Sequence, residues 1–322
     1  MMTSPTSTLP PSALGHSLSG GRRFRNGLAS SGMILALLLA AIPLVTVLVV
    51  LVTKGISLVA SADWWTQPIP TNVASDALSS QGAQEAFGNA GAVTTEAVVY
   101  GMQPAIVGTL IVTFLASVMA IPLGIAAAVY LNEYGGSSRS AAVIRFFTDV
   151  MTGVPSVVMG IFIYTVWVLR FGSAGRSAFA GGLALACLML PVVVRSTEEM
   201  LRLVPDSLRQ ASAALGTPKW RTTVSVVLPA ALPGITSGSM LAIARAAGET
   251  APILFVVGIV SSTNWSMFGQ NTTLSQQIYQ NATQPGGESI AWAAALTLIV
   301  IVMVLTVAAR FVTSRFSVRI DE

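Results

Sequence analysis

Six long apolar segments dominate the sequence and constrain its fold more than any other feature. They lie at residues 33–52, 104–131, 151–169, 179–194, 235–260 and 290–311. A helix needs about 20 mostly apolar residues to cross a bilayer, and the fourth segment is at the short end of that range. Only 9% of the 322 residues are charged and 53% are hydrophobic. This excludes a soluble domain, in which roughly 25% of residues are charged, and a disordered chain. The sequence therefore predicts an all-α integral membrane protein with six transmembrane helices.

The positive charges predict the orientation of these helices. With the N-terminus inside the cell, the inner segments hold thirteen Lys and Arg residues, and the outer segments hold three, Lys54, Arg170 and Arg176. Membrane proteins carry such an excess of cations on the cytoplasmic side. We therefore expect both termini in the cytoplasm. Residues 1–31, rich in Ser, Pro and Gly, are expected to form a disordered tail, followed by a transmembrane domain over 32–322.

The few titratable and nucleophilic residues exclude several functions. The sole histidine, His16, lies in the polar tail, and the sole cysteine, Cys187, lies inside an apolar segment. No residue is therefore predicted to be catalytic or to bind a metal. Neither Lys54 nor Lys219 follows the glycine-rich loop that cradles phosphates in ATPases, so we expect no cofactor in this chain. The cations stand between apolar segments rather than in one basic patch, which predicts contact with membrane lipid and none with nucleic acid.

The inner loop at 198–232 contains start and stop signals for two short helices. Residues 204–207 (VPDS) place a proline and an acid in a first turn, where both are favoured. Gly216 is a typical helix stop, and Pro218 begins a second helix that Pro229 is expected to end. This pattern predicts a helix–turn–helix along the cytoplasmic face. An ordinary basic loop against lipid head groups is the alternative that the pattern leaves open.

A charged pair, Arg245 and Glu249, interrupts the fifth apolar segment about midway. A charge at the bilayer centre costs at least about 2.5–3.5 kcal/mol, so the pair is expected to face protein or a water-filled path. The i, i+4 spacing puts both side chains on one helix face. We expect that face to include Gly234 and Gly238, which allow a neighbouring helix to approach closely. Pro252 is expected to bend the helix just beyond the pair.

The chemistry of Arg245 suits an oxyanion, because a planar guanidinium can bind two oxygens of a tetrahedral anion at once. Glu249 is expected to hold Arg245 until the anion enters and then to release it. A purely structural Arg–Glu pair between helices is the alternative. Other polar residues are candidates for lining the substrate path: Thr250, Thr152 and Ser156. For the last two, ordinary packing between helices is the alternative.

Residues 209–216 (RQASAALG), followed by 226–229 (VVLP), resemble the EAA motif of ABC importer permeases. The spacing agrees throughout, and Gln210, Ser212 and Val226 stand where the motif has Glu, Ala and Ile. The resemblance implies the type I importer permease fold. It also implies that the loop at 198–232 is the coupling loop, which docks in a groove of the ATPase subunit. The residues implied at this joint are Arg209, Gln210, Ala211, Gly216, Leu228 and Pro229.

Four stretches resemble the PstA family, the permeases of bacterial phosphate-specific ABC importers: 215–220 (LGTPKW), 244–255 (ARAAGETAPILF), 130–135 (YLNEYG) and 153–160 (GVPSVVMG). The resemblance implies a multi-pass subunit of the bacterial cytoplasmic membrane that moves inorganic phosphate inward by alternating access. It also implicates Arg245 and Glu249 in phosphate passage. The implied partners are a second permease of PstC type, an ATPase dimer of PstB type that uses ATP and Mg, and an external phosphate-binding protein of PstS type.

The residues leave two other functions open and argue against a third. A permease for another oxyanion, such as sulfate, molybdate or phosphonate, fits the same residues, because nothing in the sequence measures the size of the substrate. A stand-alone secondary anion transporter lacks its usual inverted repeats and leaves the loop at 198–232 unexplained. A membrane enzyme needs a nucleophile with its base, or a metal cluster, and the sequence offers neither.

Overall fold

All regular secondary structure in the described residues is helical, which confirms the predicted fold class. The computed structural model describes residues 20–70 and 100–316. Its α-helices of four or more residues are α1 (Gly20–Val59), α2 (Ala62–Thr66), α3 (Gln103–Val129), α4 (Arg139–Gly153), α5 (Ser156–Ile163), α6 (Ala178–Leu203), α7 (Asp206–Ala214), α8 (Lys219–Thr222), α9 (Leu228–Gly248), α10 (Ala251–Val256), α11 (Leu274–Thr283) and α12 (Glu288–Phe316). Three π-helical turns extend α3, α5 and α8: Tyr130–Gly135, Tyr164–Val168 and Thr223–Val227. The chain divides into two units, Met1–Val50 and Leu51–Glu322, and the second holds the candidate site.

Five helical segments of the described chain are long and apolar enough to cross a membrane, and there are six if the helix pair bent by 108° is counted as one span. The five are Phe24–Val59, Gln103–Gly135, Ala178–Leu203, Lys219–Gly248 and Glu288–Ala308. The first helix begins at Gly20, so the prediction of a disordered tail is wrong for residues 20–31. That stretch contains no proline, and its Arg, Leu and Ala residues continue the helix of the apolar segment. Residues 1–19 of the predicted tail lie outside the described residues.

The third predicted span, 151–169, is not one helix. Helix α4 ends at Gly153, Val154 is extended (φ −76°, ψ 129°), and a new helix runs over Ser156–Phe171 at an angle of 108° to α4. Pro155 causes the break, because its ring disfavours the helical conformation of the residue before it and it has no N–H to donate. The break separates Thr152, in the last turn of α4, from Ser156, the first residue of α5.

Helix α6 is the centre of the bundle and is the most buried of the five long spans. It was predicted as the short fourth segment, yet it runs nine residues past Val194 to Leu203 and includes the start of the predicted coupling loop. Glycines allow its neighbours to approach closely. A Cβ at Gly124 of α3 would lie 2.7 Å from Val193 of α6, and a Cβ at Gly182 of α6 would lie 2.8 Å from Leu115 of α3.

The predicted coupling loop at 198–232 contains the expected helix and turn, but its second helix does not end at Pro229. Helix α7 ends at Ala214, and Gly216 follows with φ +73°, the left-handed conformation that glycine adopts without strain. From Lys219 the chain is helical to Gly248 without interruption. The π-helical turn just before Pro229 accommodates a residue that cannot donate a backbone hydrogen bond. The second helix of the loop is therefore the start of the fifth span.

Candidate functional site

The fifth span breaks at the charged pair. Helix α9 ends at Gly248, Glu249 is extended (φ −69°, ψ 129°), and α10 begins at Ala251. The sequence predicted a helix that continues past Glu249 and bends at Pro252. Because proline has no N–H, Pro252 cannot donate to the Gly248 carbonyl four residues earlier, and the helix ends there instead. Arg245 therefore lies in the last turn of α9 rather than in the middle of a continuous helix.

The predicted ion pair between Arg245 and Glu249 is present and loose. Arg245 Nε lies 3.6 Å from Glu249 Oε1, which is longer than a hydrogen bond. The Arg245 side chain is 72% exposed in this subunit, whereas that of Glu249 is only 20% exposed. The pair thus consists of a half-buried carboxylate at the helix break and a guanidinium that reaches outward with its donors largely unused.

Arg245 is seven residues past Gly238 and eleven past Gly234, so it lies within about 20° of both on the regular helix α9, as the spacing predicts. Gly234 and Gly238 pack against α6, where an added Cβ would meet Met200 and Ser196. Two turns past Gly238 the Arg245 side chain is 72% exposed. It ends an open row of exposed residues at four-residue spacing: Pro233, Ser237 and Leu241. In this subunit the guanidinium is therefore not buried by the contact with α6.

The structure brings the second turn of α5 and the first turn of α10 together. A Cβ at Gly160 of α5 would lie 2.5 Å from the Pro252 Cα and 2.9 Å from the Pro252 carbonyl oxygen, so the two backbones are in close contact. Ser156 lies one turn before Gly160, and Glu249 and Thr250 directly precede α10. Two breaks of the chain therefore adjoin the same helix–helix contact.

The other candidate residues differ in their environment. The hydroxyls of Ser156 and Thr250 have no hydrogen-bond partner among the described residues. Thr152 is placed differently, because its hydroxyl donates to the Thr148 carbonyl at 2.8 Å within α4, on the far side of the 108° bend. The structure therefore does not bring Thr152 to the contact between α5 and α10.

A buried polar segment reaches the same break from the last loop, and the sequence reasoning missed it. Asn271, Thr272, Thr273, Ser275, Gln276 and Gln277 are all at most 5% exposed. The Ser275 hydroxyl donates to the Glu249 carbonyl at 3.1 Å, and the Leu274 N–H donates to the Thr109 hydroxyl of α3 at 2.9 Å. The signal was available, because Thr273 and Gln276 have the spacing of a capping box and form one. The sequence pattern could not predict that this polar segment is buried against three other elements.

The residues predicted to couple to an ATPase divide into an exposed group and an inward-facing group. Gln210, Ala211 and Gly216 are exposed, whereas Leu228 and Pro229 are half-buried at the start of α9. Arg209 points into the protein and pairs with Glu133 at 2.9 Å. Ser212, which stands where the EAA motif has Ala, joins the two helices of the loop, since its hydroxyl lies 2.8 Å from that of Thr222.

A groove of about 490 Å³ between α3, α9 and α12 has a different chemistry. Its lining is apolar apart from the hydroxyls of Thr113 and Ser117, and it contains no charged side chain. An oxyanion has no counter-charge there. Within residues 20–70 and 100–316, no three His, Cys, Asp or Glu side chains are placed to share a metal ion. The break of the fifth span at Glu249, beside Arg245, therefore remains the candidate anion site.

Comparisons with known proteins agree with this architecture. Residues 120–318 match the family described as "Binding-protein-dependent transport system inner membrane component". The phosphate transport system permease protein PstA 1 of Mycobacterium tuberculosis (strain CDC 1551 / Oshkosh) is 43% identical over 91% of each chain. The PstA proteins of Mycobacterium leprae, 44% identical over 88% of this chain and 87% of its own, and of Xylella fastidiosa (strain 9a5c), 42% identical over 65% and 74%, are further relatives.

A solved structure with a similar fold is that of a bacterial ABC transporter involved in the import of the acidic polysaccharide alginate, with a TM-score of 0.55, 16% identity and coverage of 91% of this chain and 99% of that chain. At this identity the likeness establishes the fold. With its multiple apolar spans, the protein is a multi-pass protein of the cytoplasmic membrane. It belongs to the family of inner-membrane components of binding-protein-dependent transport systems and, within it, to the PstA-type permeases.

Proposed function

We propose that this protein is the permease subunit of an ATP-driven importer that carries inorganic phosphate across the cytoplasmic membrane. One observation carries the chemistry: an outward guanidinium, that of Arg245, is held loosely at 3.6 Å by Glu249 at a helix break. The relatives at 43% identity, which are phosphate transport permeases, support phosphate as the substrate.

The exposed position of Arg245 supports a water-filled path rather than a lipid-facing surface. A charge in contact with lipid costs at least about 2.5–3.5 kcal/mol, so the open row of α9 is expected to face the companion permease or the path between the two subunits. Phosphate presents several oxygens to the fork of the guanidinium, and such charge-assisted bonds are about twice as strong as neutral ones. Because the contact between Arg245 and Glu249 is long, replacement of the Glu249 carboxylate by phosphate at the guanidinium costs little free energy.

The break at Glu249 and Thr250 supports a change of shape at this site. Two short helical pieces, α5 and α10, meet at Gly160 and Pro252, and both begin at breaks where no helical hydrogen bonds cross. A substrate path that opens alternately to each side needs such joints, since continuous helices bend little. The unbonded hydroxyls of Ser156 and Thr250 are suited to line the path when it is open.

The exposed side chains of the coupling loop support docking of an ATPase. Leu215 is 86% exposed and Trp220 is 62% exposed, and they flank the Gly216 turn beside Gln210 and Ala211. Apolar residues exposed outside the membrane are typical of a partner surface. We place this loop and both termini in the cytoplasm, with ATP and Mg bound by an ATPase dimer of PstB type. A second permease of PstC type and an external binding protein of PstS type complete the assembly.

The test is transport by the assembled complex in lipid vesicles. The chain is purified with its three partners, and ATP-dependent uptake of labelled phosphate is measured against an excess of sulfate, molybdate or phosphonate. We expect uptake that needs ATP and is inhibited by unlabelled phosphate far more than by the other anions. Uptake of sulfate or molybdate in preference to phosphate would replace the proposed substrate. Anion uptake by this chain alone, without ATP, would contradict the importer itself.

A further inference from the structure

Arg209 on α7 uses every N–H group of its guanidinium inside the protein. Nε and Nη2 donate to Glu133 Oε1 at 3.2 and 2.9 Å, and Nη2 also donates to the Leu201 carbonyl at 2.9 Å. Nη1 donates to the Val204 carbonyl at 2.7 Å and to Asp206 Oδ1 at 3.1 Å. A guanidinium has five N–H donors, so these five bonds leave none for an ATPase. The role of Arg209 is therefore internal to the permease.

These bonds connect α7 to the ends of two spans. Glu133 lies in the π-helical turn Tyr130–Gly135 that ends the second span, and its side chain is only 7% exposed. Asn132 donates to the same carboxylate oxygen at 2.9 Å and fixes its position. Leu201 and Val204 lie in the last turn of α6 and directly after it. One side chain thus joins the coupling helix to both the second span and the central helix.

A second ion-pair cluster stiffens the same ends of the spans. Glu198 of α6 is buried and accepts from Arg145 of α4 at 3.2 Å and from Arg202 at 2.6 Å. Arg145 also donates to the Leu131 carbonyl, within the π-helical turn, at 3.3 Å. The middle of α4 is therefore held to the ends of the second span and α6, and a force on Glu133 acts on all three.

The backbone that connects α7 to the rest of the chain is not helical at either end. At one end, Val204 is extended and Pro205 cannot donate, and at the other end Gly216 turns the chain with φ +73°. Helical hydrogen bonds are interrupted at both points, so rotation of α7 is not passed on through a rigid helix. Besides the packing of Leu208 against the core, the pair of Glu133 and Arg209 is the main side-chain link from α7 to the second span in the described part of the chain.

We propose that the ion pair of Glu133 and Arg209 is a transmission link, which passes displacement of the coupling helix to the second span and to α6. The inference rests on the proposed function, because it needs an ATPase that moves α7. Removal of Arg209 leaves the buried Glu133 carboxylate without its counter-charge, whereas removal of the Glu133 charge leaves Arg209 paired only with the exposed Asp206. Either change loosens α7 from the second span. ATP hydrolysis then continues while uptake falls, and both residues are positioning residues rather than substrate ligands.

The experiment measures uptake of labelled phosphate and ATP hydrolysis in the same vesicles, with wild type, Glu133→Gln, Arg209→Gln and the double variant. Assembly is checked by size-exclusion chromatography. Glu199→Gln, which changes an exposed carboxylate on α6, is the matched control and keeps the wild-type ratio of uptake to hydrolysis. We expect each single variant to lower that ratio by about tenfold, which is about 1.4 kcal/mol. The double variant is expected to be no worse than the worse single variant, because the two side chains act as one unit.

A ratio that stays at the wild-type value in both single variants overturns the inference, and so does a parallel fall of uptake and hydrolysis, which indicates a merely structural role. Additive losses in the double variant also overturn it. If the wild-type complex carries sulfate or molybdate and not phosphate, the proposed substrate is wrong, and the same ratio, measured with that anion, decides the inference.

Discussion

The contact between Gly160 and Pro252 gives a sharp test of how the site is built. Ordinary carbon–carbon contacts are about 3.5–4.0 Å long, whereas a Cβ at Gly160 would lie 2.5 Å from the Pro252 Cα. Gly160→Ala therefore forces α5 and α10 apart by roughly 1 Å, because the obstacle is backbone rather than a flexible side chain. Overpacking of this kind costs about 1–3 kcal/mol, and it displaces Glu249 and Thr250 at the start of α10.

The assay compares Gly160→Ala with Gly153→Ala. Gly153 is also next to the break of the third span, but a Cβ there meets nothing within 4 Å, and alanine is favoured over glycine in a helix by up to about 1 kcal/mol. We expect Gly160→Ala to lower the midpoint of thermal unfolding by several degrees and to reduce phosphate uptake, whereas Gly153→Ala retains both. Equal stability and equal uptake in the two variants would refute the close contact and its role in placing Glu249.

Two further predictions concern Ser275 in the buried polar loop and Trp220 in the coupling loop. Ser275→Ala removes the hydrogen bond to the Glu249 carbonyl, which is worth about 1 kcal/mol, so phosphate uptake is expected to fall about fivefold. The exposed control Ser266→Ala is expected to keep the wild-type rate, and an unchanged rate for Ser275→Ala would mean that the last loop does not position Glu249. Trp220→Ala is expected to weaken binding of the ATPase to the permease by about 2 kcal/mol, or about thirtyfold, in a titration of the ATPase onto permease in nanodiscs. Trp265→Ala, which changes an equally exposed tryptophan in the last loop, should bind normally, and equal affinities for both variants would place the docking surface elsewhere.

Local patterns predicted what depends on local chemistry. Apolar segments of about 20 residues located the spans, and the Gly216 turn followed from the preference of a helix end for glycine. The Arg245–Glu249 pair followed from the four-residue spacing, although its 3.6 Å separation did not. In these cases, the residues that determine the structure are neighbours in the sequence.

The breaks of the third and fifth spans could not be read from hydropathy, because Val154, Pro155, Glu249 and Thr250 stand inside apolar segments. Pro252 was recognised as the cause of a bend, but neighbours that replace the lost hydrogen bonds, such as Ser275 at the Glu249 carbonyl, decide whether the helix bends or breaks. The π-helical turn at Thr223–Val227 had the opposite effect at Pro229, where the helix continues.

Contacts distant in sequence account for the other differences. Arg209 and Glu133 are 76 residues apart, so the loop motif alone could not indicate that Arg209 turns inward. The exposure of Arg245 could likewise not be predicted, since it depends on which residues of α9 the other helices cover. The buried polar loop at 271–277 depends on partners in three other elements.

The most direct test of the central claim is phosphate uptake by the complex with Arg245 replaced. Arg245→Gln removes the charge and Arg245→Lys keeps the charge but loses the planar fork, while Arg170→Gln, an exposed arginine far from the fifth span in the sequence, is the matched control. The account predicts an assembled Arg245→Gln complex whose uptake falls by at least about tenfold, the effect of losing about 1.4 kcal/mol of anion binding, with Arg245→Lys between it and the wild type. Uptake by Arg245→Gln at the rate of the wild type and of the Arg170→Gln control would contradict a role for this guanidinium in phosphate passage.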